Sequence, residues 1–412
     1  VILVGSLLLM LPCSIQDGVT VRYIDALYTS TSAVCVTGLI AIDAGDTFTP
    51  LGQFFLAMLI QVGGLGVTAV GAGIIVAMGR RVNLKGRVLI REAMNVDSGR
   101  GLVKFVKDIF LVTVIFELCG ALLSFLVFVQ DYPPLRAAGI SLFHSVAAFN
   151  NSGFDILGNF QNLIPYRHNV LLNLTTCGLI FFGGIGFLVI REMWVKRLNW
   201  HKLSMHAKVV LSVSGCLIAV GTILIKLTED VTWLVAFFHS VSARTAGFST
   251  YPLGTFSTPG LLVLTALMFI GASPGSTGGG IKTSTFFALI QGIKSAATNT
   301  SEKAFRYAIP KDAFRKAAVI TLLALGVVFT GTYLMMVMEP DIRLVDALFE
   351  VTSAFGTVGL STGITPNLSD GSKLLSILTM YIGRLGPLTI ASLWYFARGE
   401  RVSYPEGNIA IG

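Results

Sequence analysis

Polar and apolar positions along this chain follow a recurring order. A long apolar run is followed by a short one, then a small-residue turn at glycine, then a second long apolar run. The short runs are Ala26 to Gly38 (ALYTSTSAVCVTG), Ser141 to Gly153 (SLFHSVAAFNNSG), Ala236 to Gly247 (AFFHSVSARTAG) and Ala347 to Gly363 (ALFEVTSAFGTVGLSTG). Each is too brief to cross a bilayer and predicts a half-helix that hands over to extended backbone. Asp25 and Asp346 each lie thirteen residues before their glycine, and Thr29, His144 and Glu350 each lie nine before theirs. His239 lies eight before Gly247, so the third loop is one residue shorter. The first copy predicts helices over 1–11 and near 50–78, with a half-helix over 26–34 between them. The second predicts helices near 105–129 and 167–195, the third 207–228 and a broken segment near 258–294, the fourth 314–338 and 371–397. Pro12, Pro50, Pro133, Pro134, Pro310, Pro340 and Pro366 punctuate the joints. The predicted fold class is an all-α integral membrane protein: four tandem helix–half-helix–helix repeats around a pseudo-fourfold central pore, with eight spanning helices. The repeats are bounded at 1–78, 79–195, 196–294 and 295–397, with a tail over 398–412.

Composition narrows the class. The chain is 53% hydrophobic and 13% charged, with a mean hydropathy of +0.76, far too apolar for a soluble protein. A net charge of +8 could point to nucleic acid, but its placement points elsewhere. Connections 79–108, 191–208 and 294–316 and the tail after Ala397 hold eight, five, six and two of the 30 Lys and Arg residues. By the positive-inside rule these segments and the C-terminus are cytoplasmic, which predicts a multi-pass plasma-membrane protein and no nucleic-acid partner. The opposite side carries mostly acids, among them Asp43, Asp46, Asp155, Glu229, Glu339 and Asp370, which are either ordinary solvated loops or a vestibule that concentrates cations. Val1 to Pro12 would rise only about 18 Å as a helix, against a hydrocarbon core of about 30 Å. The chain is therefore read as beginning inside its first spanning helix. Five scattered cysteines show no metal-binding spacing and are read as small buried hydrophobes.

Four extended segments at membrane depth require a reason, because open backbone survives there only when protein buries it or it lines an aqueous cavity. Ion selectivity supplies one: carbonyl oxygens replace a cation's hydration shell, and glycine permits the backbone angles. The candidate filter comprises Cys35, Val36, Thr37 and Gly38; Asn151, Ser152 and Gly153; Thr245, Ala246 and Gly247; and Thr357, Val358 and Gly359. The half-helices would aim their partly negative C-termini at the same point. Asp25 and Asp346 are expected as N-caps at the far ends. The second helices carry Gly63-Gly64-Leu65-Gly66, Gly183-Gly184-Ile185-Gly186, Gly271 and Gly383-Arg384-Leu385-Gly386, read as close-packing positions in a common layer.

Ala272, Ser273, Pro274, Gly275, Ser276, Thr277, Gly278, Gly279 and Gly280 should interrupt the second helix of the third copy, since a proline and four glycines do not persist in a helix. GSTGGGIKT approaches a phosphate-binding loop, but Ile281 breaks the glycine–lysine spacing and no strand precedes it. Arg384 is an intramembrane charge in need of a partner, and carbonyls of this loop would suit its guanidinium. The HExxH pattern is missing from the sequence and no nucleophile, base or metal cluster is read within the apolar runs, so an enzyme is not expected.

SAVCVTGL, FNNSGF, RTAGF, SAFGTVGL, IQVGGLG and IGRLGPLT together resemble the Trk/Ktr/HKT superfamily of potassium transporters, over essentially the whole chain. Eight spans without an extra leading pair resemble the membrane subunit of a Ktr-type system. Four filter glycines imply potassium uptake, with sodium a candidate activator and no organic cofactor. The alternative is a sodium-permeable or sodium-coupled cation transporter of the same superfamily. The resemblance also implies that Ala272–Gly280 is a gate with Arg384 as its latch. It further implies a homodimer, each protomer with its own pore, seated on a cytosolic ring of nucleotide-binding regulatory subunits. Arg244 departs from what a cation filter alone would hold, and its guanidinium is expected to point away from the ion path.

Overall fold

The computed structural model describes residues 1–67, 69–71, 73, 102–197, 199–310, 312–387 and 389, and is mostly helical. The first stretch forms α1 (Ile2–Leu9), α2 (Tyr23–Cys35), α3 (Ala44–Thr47) and α4 (Pro50–Leu65). Next come α5 (Leu102–Phe128), α6 (Pro134–Phe149), α7 (Val170–Ile185) and α8 (Phe187–Val195). The third stretch forms α9 (Met205–Thr228), α10 (Trp233–Ser242), α11 (Thr258–Phe269) and α12 (Thr283–Thr298). A hairpin of β1 (Lys303–Ala304) and β2 (Tyr307–Ala308) then leads to α13 (Ala313–Met338), α14 (Leu344–Gly356) and α15 (Asp370–Leu385). Among the described residues α5, α9 and α13 are long and apolar enough to cross a membrane, as is the bent pair α7–α8 if taken as one span. Leu122 on α5 and Phe329 on α13 are both 68% exposed, the outward apolar face that lipid tolerates and water does not.

The same local chemistry recurs four times. Thr49, Asn169, Ser257 and Ser369 cap α4, α7, α11 and α15, each side chain accepting from the backbone N–H three residues on: Gly52, Leu172, Gly260 and Ser372. After these caps α4, α7 and α15 each run for 16 residues and stop at Gly66, Gly186 and Gly386, whereas α11 stops after 12. Gly5, Gly120 and Gly221 on the first long helices let the hydroxyls of Ser30, Ser145 and Ser240 approach so closely that a methyl group would meet them. Those hydroxyls donate across to the carbonyls of Ile2, Glu117 and Ile218 at 2.6–2.8 Å. Gly331 holds the corresponding place against Val351.

Three expectations need correction. The second helices near 50–78, 167–195 and 371–397 are not continuous: Gly66, Gly186 and Gly386 take φ of 85–93° with ψ of 135–143°, outside any helix, and α8 turns 99° away from α7. A glycine in that region releases the carbonyls before it from helical bonding. Asp25 and Asp346 are not caps. The caps are Arg22 and Arg343, and the acids sit in the first helical turn, where they bind those guanidiniums at 2.9 and 2.7 Å. The carboxylates still face the positive end of the helix dipole. Cys35 and Cys177 are buried, but Cys13, Cys119 and Cys216 are exposed. The basic positions over 79–101, Lys311, the tail after Ala397 and the far ends of two expected helices lie outside the described residues.

Candidate functional site

Each half-helix ends the same way. Val36, Asn151, Thr245 and Thr357 take left-handed φ of 56°, 57°, 74° and 49°, and two residues later Gly38, Gly153, Gly247 and Gly359 take φ of 89°, 70°, 76° and 95°. Three of the four left-handed residues are β-branched, for which that region is costly, on the order of 1–3 kcal/mol each. The backbone N–H groups of these segments turn back into their own helices. Thr37, Ser152 and Val358 donate to Ser32, Ala147 and Ser353 carbonyls at 2.7–2.9 Å. Ser32 and Ser353 hydroxyls accept from Gly38 and Gly359 at 3.0 Å. In the third segment Ala246 reaches back only four residues, to Ser242, as the shorter spacing from His239 requires.

With the N–H groups occupied, the carbonyls face one another. A methyl group on Gly38 would overlap the Ser152 carbonyl and lie 3.0 Å from Gly153 Cα. On Gly153 it would lie 2.8 Å from the Ala246 carbonyl and 2.9 Å from Gly247 Cα; on Gly247 it would overlap Val358 O. On Gly359 it would overlap Thr37 O and lie 2.9 Å from Gly38 Cα, which closes the cycle. The four segments therefore form a ring in chain order with no room for a side chain at any glycine. Asn151 and Thr245 side chains meet at 3.2 Å between the second and third segments. Asn162 donates to the Gly153 carbonyl at 3.2 Å and to Asp155 at 3.0 Å, and its own oxygen accepts from Ser249 N at 3.0 Å. The Gly153 carbonyl is thus partly held by the wall, and Ser152 O is the one turned to Gly38. Burial pushes the Asp155 carboxyl up to about 7, with the bond from Leu157 N pulling the other way and Asp43 and Asp46 adding to the rise.

Behind the ring the close-packing glycines have a definite job. A methyl on Gly63, Gly183 or Gly383 would overlap the carbonyl of Val34, Phe149 or Phe355, each four residues before a ring glycine. Gly271 departs from this pattern, facing Gly279 O of its own loop.

That loop, Ile270 to Lys282, lies where α11 lacks its last turn, and every sequence-predicted gate residue from Ala272 to Gly280 is in it. Ser273 and Thr277 N–H groups donate to Gly184 and Gly183 carbonyls at 3.0 and 3.3 Å, the carbonyls set free by the break at Gly186. Phe187 N, the first of α8, donates to Gly275 O at 3.1 Å. Gly279 N donates to Thr357 Oγ1 at 2.9 Å, so the loop touches the fourth ring segment directly. Arg384 donates to Thr277 O and to Gly63 O, the second of which also accepts from Gly66 N at 3.2 Å in the closing turn of α4. Arg384 and the loop are therefore brought together. Arg244 turns away, toward the Ser214 carbonyl and hydroxyl at 3.3 and 3.2 Å. Sequence reasoning missed Lys282, whose ammonium donates to Gly278 O at 2.6 Å and Gly279 O at 3.3 Å. Its signal was a second charge at membrane depth beside the glycine run. No cluster of three or more His, Cys, Asp or Glu side chains able to hold a metal occurs among the described residues.

The family model described as "TrkH: Cation transport protein" matches residues 3–397. The chain is 34% identical over 426 residues to the Ktr system potassium uptake protein B of Vibrio alginolyticus, covering 100% of this chain and 92% of that one. It is 36% identical over 428 residues to the Ktr system potassium uptake protein D of Bacillus subtilis, covering 99% and 94%. It is 35% identical over 432 residues to the potassium/sodium uptake protein NtpJ of Enterococcus hirae, covering 100% and 94%. Among solved structures, the potassium transporter TrkH from Vibrio parahaemolyticus has the same fold, with a TM-score of 0.73 at 18% identity over 96% of this chain and 83% of that one.

Proposed function

The chain belongs to the TrkH family of cation transport proteins, which are membrane transporters and not enzymes, and from that premise we propose that it takes up potassium through a filter formed by the ring of Gly38, Gly153, Gly247 and Gly359. The observation that carries this reading is the closed cycle itself. Four carbonyls, those of Thr37, Ser152, Ala246 and Val358, each press on the glycine of the adjoining segment. Oxygens so placed can take over the hydration of a cation, and the C-terminal ends of α2, α6, α10 and α14 add partial negative charge around them. In this proposal the recurring caps and glycines belong to four repeats, bounded at 1–78, 79–195, 196–294 and 295–397, that carry eight spans. The positive connections are cytoplasmic. The loop Ala272–Gly280 is the gate and Arg384, which holds it, the latch. Two copies, each with its own pore, assemble on a cytosolic ring of nucleotide-binding regulatory subunits. A relative named for both potassium and sodium uptake keeps sodium permeation as the second reading.

Replacing Gly38 by Ser tests the filter. A Cβ there would overlap Ser152 O, and φ of 89° strains any L-residue by about 1–2 kcal/mol. Potassium uptake by cells lacking other importers should lose preference over sodium, and equivalent changes at Gly153, Gly247 and Gly359 should impair uptake. Unaltered selectivity and flux in all four would place the filter elsewhere.

A further inference from the structure

We infer that Glu350 is a specificity-determining positioning residue, holding the outer end of the fourth filter segment at the width that favours potassium; this rests on the filter reading above. Glu350 lies on α14, nine residues before Gly359, and is 0% exposed. Its carboxylate accepts from Ser361 Oγ at 2.8 Å and from Thr365 Oγ1 at 2.5 Å. Ser361 stands two residues beyond the ring glycine. Its hydroxyl also accepts from Gly363 N at 3.0 Å, so one side chain gathers the whole outgoing turn. No lysine or arginine pairs with Glu350 among the described residues. A carboxylate buried in this way is expensive and is retained only where its hydrogen bonds do something a smaller group cannot.

The corresponding contact recurs in the third copy with different chemistry. His239 Nε2 meets Ser249 Oγ at 3.2 Å, and Ser249 again stands two residues beyond its glycine, Gly247. An imidazole and a carboxylate reaching the same hydroxyl position mark the contact itself as the requirement. In the fourth segment Thr357 is β-branched and left-handed at φ 49°, and its hydroxyl accepts from the loop's Gly279 N at 2.9 Å. When the loop withdraws, that bond is lost. The brace above then keeps the Val358 carbonyl from collapsing onto a smaller cation.

The experiment compares potassium and sodium uptake, with KM and Vmax measured separately, in membranes containing equal amounts of Glu350→Ala, Glu350→Gln and Gly359→Ser. Glu350→Gln keeps both contacts, one with its donor reversed, because an amide both donates and accepts. The expected result is at least a tenfold loss of potassium-over-sodium preference and a raised potassium KM for Glu350→Ala, with Glu350→Gln within threefold of wild type. If Glu350→Ala does not reach the membrane, Thr365→Val removes one arm of the brace and should lower the preference several-fold. Wild-type preference in Glu350→Ala, or in Thr365→Val when it stands in, overturns the inference, as does equal damage by Glu350→Gln, which would make charge and not bracing the cause. Gly359→Ser separates the two readings: if it leaves preference intact the filter assignment fails, and if it alone abolishes preference only the Glu350 assignment fails.

Discussion

Asp155, two residues beyond Gly153, shows how a loop outside the spanning helices is tied to the ring. Its carboxyl accepts from Leu157 N and from Asn162, and Asn162 in turn reaches Gly153 O and Ser249 N, so one acid stabilises the outer ends of two segments. Burial, with Asp43 and Asp46 close by, raises it from an ordinary 3.8 to about 7. The folded state therefore binds this proton more tightly than the unfolded chain does. Its contribution to stability is complete below about pH 4 and is lost as pH rises through 7. Thermal unfolding in detergent should show stability falling between pH 4 and pH 7, and Asp155→Asn, neutral throughout, should reduce that slope. A slope that survives the substitution would assign it to another group. The acid was visible in the sequence as one of many on the outer side. Its burial was not, because burial depends on Asn162 and on Ser249 from the third copy, far away in sequence.

At the level of helices and loops, the half-helices and their glycine turns were legible because short apolar runs ending in small residues can do little else in a membrane. The breaks in α4, α7 and α15 were not. A glycine pair in an apolar run serves close helix packing as readily as chain reversal, and here Gly63, Gly183 and Gly383 do the first while Gly66, Gly186 and Gly386 do the second. Only the backbone angles separate the two roles. The breaks matter because the carbonyls of Gly183 and Gly184, released at Gly186, accept from the loop, and Gly63 O in the last turn before Gly66 accepts from Arg384. The loop is therefore fixed by a small set of hydrogen bonds, each worth about 0.5–1.5 kcal/mol net, or about 1.5–3 where a charge takes part. In the gating proposal, withdrawing the loop would therefore cost a few kcal/mol, a range that a ligand-driven partner can supply. Deleting Gly275 to Gly280 should raise potassium flux several-fold and make it less dependent on regulation. Arg384→Ala should do so in the same direction, by loosening the loop and removing a cation from the ion path. Ordinary regulated flux from either variant, folded and inserted, would leave the loop as an inert helix break.

Across the whole molecule, the question is where control enters. None of the connections between the described helices is large enough to fold as a regulatory domain. An unregulated potassium path would run the ion down its gradient, and in the gating proposal above the switch acts on the loop. The structure offers one lever. The loop leads into α12 (Thr283–Thr298), and α12 leads into the hairpin β1–β2, whose Phe305 packs edge-on against Trp200 at 6.0 Å between ring centroids. Lys303 and Arg306 are exposed on that hairpin, and Lys311 follows outside the described residues. A partner with an acidic surface that grips the hairpin would pull on α12. That force reaches Lys282, whose bonds to Gly278 O and Gly279 O sit at the helix start, and then Gly279 N on Thr357. Purified chain alone in liposomes should therefore carry low potassium flux, and adding the proposed regulatory ring with its nucleotide should raise it. Neutralising Lys303, Arg306 and Lys311 together should weaken ring binding, most visibly as salt screens the remaining attraction beyond about 8 Å at physiological ionic strength. Phe305→Ala should uncouple differently, leaving binding near normal while the ring raises flux less. Full, ligand-insensitive transport by the chain alone, equal to that of the complex, would remove the lever and place no switch outside the pore.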